Sequence, residues 1–158
     1  EEIKAAPEFM GAAVDKDDIR IEANGTLDEA NAEIGIVRAL LPAGHEWQGL
    51  LGKIQMEMMA VMSHVATPSA IRDKNPNKIS DDLVLVCEEQ IDALSAKMED
   101  NGYFISGGSL VSAHLQLART IVRRAERRLW TLNRKTGFTR DHAVRESPFR
   151  FVFYNGTL

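Results

Sequence analysis

Between Ser106 and Arg128 the chain reads SGGSLVSAHLQLARTIVRRAERR. Five arginines fall within ten residues there, at 119, 123, 124, 127 and 128. Spaced by four, Arg119, Arg123 and Arg127 share one face of a helix, where like charges repel. An anion is the first candidate to offset that repulsion. Gly107-Gly108 opens the same helix, and the unpaired N–H groups of a helix start can also receive an anion. The arginines begin two or more turns further on, roughly 15 Å along the axis. One ligand reaches both only if it is large or if another subunit contributes. The plainer reading is a solvated basic face, with Glu126 pairing back to Arg123.

Other chemistries find no support in the spacing. Helical bundles build di-iron sites from Glu-x-x-His pairs, yet Pro42, Val61, Val111 and Thr139 stand three positions before the four histidines. A ferritin-like metal site is therefore rejected. No H-E-x-x-H zinc motif and no G-x-S-x-G nucleophile turn occurs. GLLGKI (49–54) has neither the spacing nor the Ser/Thr of a phosphate-binding Walker loop.

The elements that must position the arginines read as helices. Residues 24–41 open with Thr26 and Glu29 at capping-box spacing, and Leu27, Ala30, Ile34, Val37 and Leu41 then follow a helical period up to Pro42. A second helix is predicted over 45–65, with Leu50, Leu51, Ile54, Met58, Val61, Met62 and Val65 as its stripe. Residues 67–80 read as a loop, with two prolines and many polar residues. Ser80 caps a third helix whose Leu83, Val84, Cys87, Ile91, Leu94 and Met98 face inward and which ends at Asn101-Gly102. The fourth runs from about 109 to 132 on Leu110, Ala113, Leu117, Ile121, Ala125, Leu129 and Leu132. The fold class is all-α: a bundle of four to five long helices in ferritin-like up-down packing without a di-iron site. Residues 1–18 form an irregular lead, 19–135 the bundle, and 136–158 an aromatic tail whose FRFVFY is a short strand or an extension packed on the bundle.

Composition narrows the partners. At 158 residues, 44% hydrophobic and 27% charged, this is one globular domain with room for a core. Residues 119–135 carry seven cations against Glu126 alone, a local +6 that leaves −10 on the rest of a chain whose total is −4. A cation focus on an acidic body suits a small polyanion better than a nucleic acid, which needs an extended cationic track. Cys87 is the only cysteine, so neither an internal disulfide nor a thiolate metal site is expected. No apolar run is long enough to cross a membrane, and the acidic start, which lacks Met, has no signal-peptide core. A cytoplasmic protein is expected. Several residues have ordinary readings: Asp28 as a first-turn acid, His114 as a helix residue, Met56, Met58, Met59 and Met62 as core or subunit-interface filling, Tyr103 and Phe104 as a plug at the bundle end.

Three segments in consistent order, IEANGTLDEANAEIG (21–35), LLGKIQMEMMAVMSHVATPS (50–69) and SGGSLVSAHLQLARTIVRRAERRLW (106–130), resemble the PduO-type ATP:corrinoid adenosyltransferases. The similarity spans 15–134, and RRAER preceded by Arg119 is its most specific signal. The resemblance implies a homotrimer of five-helix bundles with active sites between subunits. It implies transfer of the 5'-deoxyadenosyl group of MgATP to the cobalt of a reduced corrinoid, with release of triphosphate. ATP, Mg2+ and cobalamin as substrate follow, and a corrinoid reductase or acceptor enzyme as a further partner.

By position, Arg123, Arg124, Glu126 and Arg127 are similar to the family's nucleotide-binding segment, and Lys16 to a lysine that contacts ATP. Asp28 and Arg119 resemble an inter-subunit ion pair beside the site. Phe104, or Tyr103 beside it, matches the aromatic residue that helps exclude the corrinoid's lower nitrogen ligand. The chain departs from the family at the N-terminal TGDKG-like phosphate loop and the last helix with its N-R-x-S-D pattern, neither of which it has. It also departs at Ser106, where proline is usual, and at Gln116, where a histidine is. The alternative reading is a bundle that binds nucleotide or corrinoid without transfer.

Overall fold

Asp18 starts the first helix. Its Oδ1 accepts the Arg20 backbone N–H at 2.8 Å, satisfying one of the donors a helix start leaves open. The computed structural model describes residues 15–80, 82–97 and 107–136, and within them α1 runs Ile19–Leu40. The predicted start near Asn24 is thus too late. Asn24-Gly25 does not interrupt the helix, because Ala23 and Leu27 are fully buried and hold the backbone helical through it. Thr26 is no cap. It lies on the buried face, and its hydroxyl donates to the Glu22 carbonyl at 2.8 Å, one turn back.

The Asp18 cap has a pH signature. Arg20 donates Nε to Oδ1 at 2.9 Å and Nη2 to Oδ2 at 3.0 Å, and these bonds hold the carboxyl below its ordinary 3.8. A depressed folded value stabilises above the unfolded value and is lost as pH falls through the folded one. Asp18→Ala is expected to cost about 0.5–2 kcal/mol at neutral pH. In thermal melts the gap between the two proteins should narrow below pH ~4. A gap constant down to pH ~3 would overturn the assignment.

α2 (Trp47–Ala66) returns antiparallel to α1. The Asn24 amide donates to the Met62 carbonyl, Gln55 to the Asn31 carbonyl at 2.9 Å, and Gln48 to the Arg38 carbonyl at 2.7 Å, which fixes the register along the seam. Arg38 completes this zip by donating Nη1 to Gln55 Oε1 at 2.6 Å. Gly52 gives the guanidinium its room, since a Cβ there would lie 3.4 Å from Cζ of Arg38. Of the methionines, Met58 is core, Met62 packs partly against it, and Met56 and Met59 are exposed.

The stretch after α2 is more ordered than a loop reading allows, since Ser69–Lys74 form a 3-10 helix. Its three-residue hydrogen bonds carry no apolar period, which is why the pattern misses it. Asn75 then donates to Ser63 Oγ at 3.0 Å and Thr67 Oγ1 at 2.8 Å, tying the segment back onto α2. α3 spans Asp82–Ser95; the Leu83 N–H reaches Ser80 Oγ at 3.3 Å, so Ser80 does cap. Buried Glu57 of α2 accepts the Ser80 N–H at 2.6 Å, anchoring the entry to α3. The helix stops before Asn101-Gly102. Lys97 N–H already bonds three residues back to Leu94, which tightens the last turn. Leu83, Cys87 and Ile91 are buried, whereas Val84 is only half-buried. Burial, with Glu88 adding, pushes the Cys87 thiol up to about 12.

α4 (Leu110–Thr136) is the longest helix. Gly107 and Gly108 have φ of 113° and 92°, a region that favours glycine, and Ser109 Oγ caps by accepting the Ser112 N–H at 3.1 Å. Leu115, Ala118, Ile121, Val122, Ala125, Leu129 and Leu132 are buried. Leu110 and Leu117, assigned inward from spacing, are exposed instead. α1 packs against both α2 and α4, and the described residues contain helices and no strand. No helix among them is long and apolar enough to cross a membrane. Residues 1–14 and 137–158, with most of the predicted 1–18 lead and of the aromatic tail, lie outside the described residues, as do Met98, Tyr103 and Phe104.

Candidate functional site

Three contacts set the register of α4 against α1. His114 Nδ1 lies 2.5 Å from Glu33 Oε1, Arg124 bonds Glu29, and Arg128 Nε reaches Glu22 Oε1 at 3.1 Å. The helices run antiparallel, and the flank of α4 bearing Arg124 and Arg128 meets the acidic edge of α1. Both arginine pairs are half-exposed, so each contributes only about 0–1 kcal/mol. Glu33 differs, being 8% exposed.

At about 100° per residue, the other arginines turn away from that edge. Arg119 and Arg123 lie on the flank of α4 opposite α1, and Arg127 stands on the outer crest between the flanks. Arg119 is half-buried and donates Nε to Gln116 Oε1 at 3.1 Å. Arg123 is exposed. Glu126, the single acid of α4, is half-buried on the same flank. A cleft of about 520 Å³ on the crest is lined by Arg124, Arg127, Arg128, Trp130, Thr131 and Arg134. Its Arg124 and Arg128 are already engaged by Glu29 and Glu22, whereas the planar fork of Arg127 is suited to take phosphate oxygens bidentately.

The remaining predicted residues stand apart. Lys16 is exposed in the turn before α1, and that turn lies beside the last turn of α4, where Lys135 helps hold the Asp18 carboxyl low. Asp28 is exposed one turn from Asn24 and Asn31, hence on the flank of α1 that faces α2 rather than α4. Within one chain the structure does not bring Asp28 to Arg119. Spacing alone missed the counter-ions Glu22 and Glu29, whose seven-residue separation on α1 was the available signal. It also missed the His114–Glu33 contact, because a glutamate in an apolar stripe reads as surface.

The described residues form an all-α antiparallel bundle whose longest helix carries an arginine ladder. Comparison with known proteins is specific. A family model described as cobalamin adenosyltransferase matches residues 6–152, and the chain belongs to that family. A corrinoid adenosyltransferase of Bacillus subtilis is 32% identical over 145 residues, covering 91% of this chain and 72% of the relative. The corrinoid adenosyltransferase PduO of Salmonella typhimurium is 34% identical over 122 residues, 77% of this chain, but the match spans 36% of that longer relative. Among solved structures, a variant PduO-type ATP:corrinoid adenosyltransferase from Lactobacillus reuteri complexed with cobalamin and ATP superposes with a TM-score of 0.80 at 25% identity. That likeness covers 92% of this chain and 82% of the other.

Proposed function

We propose that this chain transfers the 5'-deoxyadenosyl group of ATP to the cobalt of a reduced corrinoid. The observation that carries the reading is the ladder Arg119, Arg123 and Arg127 on the part of α4 turned away from its acidic edge with α1, in a chain of the cobalamin adenosyltransferase family. Co(I) attacks the ribose C5', the C5'–O5' bond breaks, and triphosphate leaves with the bonding electrons as Co(III)–carbon forms. Negative charge grows on the departing triphosphate. Guanidinium groups already fixed on a helix stabilise that charge without having to reorganise.

Arg123 and Arg127 bind the phosphates. Arg127 has no acid partner among the described residues, and Arg124 can exchange its exposed contact with Glu29 for a phosphate. Glu126 is the carboxylate able to hold Mg2+ together with phosphate oxygens, the ligand set this ion favours. Mg2+ would neutralise the leaving group. Lys16 reaches the nucleotide from the N-terminal turn. Tyr103 and Phe104 are assigned to the corrinoid side.

The site lies between subunits of a homotrimer. Asp28 and Arg119 occupy different flanks of the bundle, which suits a pair closed between two copies. The setting is cytoplasmic, and a corrinoid reductase or an acceptor enzyme supplies and receives the cofactor. Anaerobic mixing of reduced cobalamin with MgATP tests the reading, and the adenosylcobalamin spectrum should appear. ATP binding without spectral change would replace it by a nucleotide-binding bundle without transfer.

A further inference from the structure

Gln116 is 5% exposed and sits one turn before Arg119 on the same flank of α4. Arginine can only donate, so the Gln116 atom 3.1 Å from Arg119 Nε is the carbonyl oxygen, which fixes the orientation of the amide. The amide nitrogen Nε2 is then buried and has no hydrogen-bond partner among the described residues. An unsatisfied buried donor costs stability until an acceptor arrives. Holding the guanidinium by its Nε edge also fixes the plane in which its terminal nitrogens fork.

We infer that Gln116 is a positioning residue of the arginine site: its Oε1 sets the plane of Arg119, and its Nε2 donates to the anionic oxygen that Arg119 grips. The oxygen comes either from a phosphate of the nucleotide or from the Asp28 carboxylate of a neighbouring subunit. The inference rests on the functional reading above. Its thermodynamic core is that Gln116 acts through Arg119, and residues coupled in this way are non-additive.

Gln116→Leu keeps the buried volume and removes both polar atoms. It should lower kcat/KM for ATP roughly tenfold or more, the range of a lost bond to a charged group. In an Arg119→Ala background the same change should have no further effect. A rise in KM for ATP with self-association unchanged identifies the phosphate as acceptor. Weaker self-association, followed by sedimentation, identifies the carboxylate. Should Gln116→Leu not fold, Gln116→Glu, which keeps an acceptor for Arg119 but loses the donor, carries the same cycle. No loss when Arg119 is intact, or equal losses in both backgrounds, overturns the inference and leaves Gln116 a packing residue. A parent chain that neither converts cob(I)alamin nor binds MgATP overturns the functional reading instead. The self-association cycle then decides the role of Gln116 alone, and an unchanged association overturns it.

Discussion

Arg123→Ala is expected to lower ATP affinity or kcat/KM by about one to two decades. The substitution removes the charge-assisted phosphate contact proposed for Arg123, and such contacts contribute roughly 1.5–3 kcal/mol. The helix itself should survive, because Arg123 is exposed and the buried stripe through Ile121, Val122, Ala125 and Leu129 is untouched. Arg128→Ala is the matched comparison. Its guanidinium is half-exposed and already paired to Glu22 within the chain, so its removal costs about 0–1 kcal/mol of stability and little nucleotide affinity. ATP titration of the two variants, with circular dichroism to check helicity, separates the cases. Equal loss in both would mean a diffuse cationic field around α4, with no residue assigned to a phosphate.

That contrast depends on knowing which side of α4 faces α1, and here the sequence runs out. The ladder was legible because Arg119, Arg123 and Arg127 repeat at the helical period within one element. The all-α class was legible for the same reason, since Leu51, Ile54, Met58, Val61 and Val65 form a stripe that only a helix can bury. The division of labour among the arginines was not, because it is set by Glu22 and Glu29 on a helix about a hundred residues earlier in the chain. Local signals failed where tertiary burial outweighed them. Thr26 and Glu29 have cap spacing, but Asp18 had already opened α1, and Ala23 and Leu27 carried it past Asn24-Gly25. Leu110 and Leu117 kept a plausible apolar spacing on α4 and are nonetheless exposed, since the true inner face is offset from theirs. The proposed Asp28–Arg119 pair is a different case, since a pair that closes between copies leaves no trace within one chain.

Mixing two inactive variants should therefore restore activity. Asp28→Ala and Arg119→Ala are each expected to lose catalysis and weaken self-association, because each leaves one charge of the proposed inter-subunit pair without its partner, a larger penalty than losing the pair outright. In a cyclic trimer every interface takes Asp28 from one copy and Arg119 from the next. When the variants are refolded together in equal amounts, roughly a quarter of the interfaces pair an intact Asp28 with an intact Arg119. Adenosylcobalamin formation should then rise above that of either variant alone, toward about a quarter of the parent rate. Both variants leave the buried stripes of α1 and α4 intact, so the mixture is not limited by folding: Asp28 is exposed and Arg119 half-buried at the edge of the core. A pair closed within one chain gives the opposite result, since no mixture of the two variants can then rebuild it. Activity that stays at the level of the single variants, in mixtures shown by sedimentation to have exchanged subunits, would place Asp28 and Arg119 in separate roles.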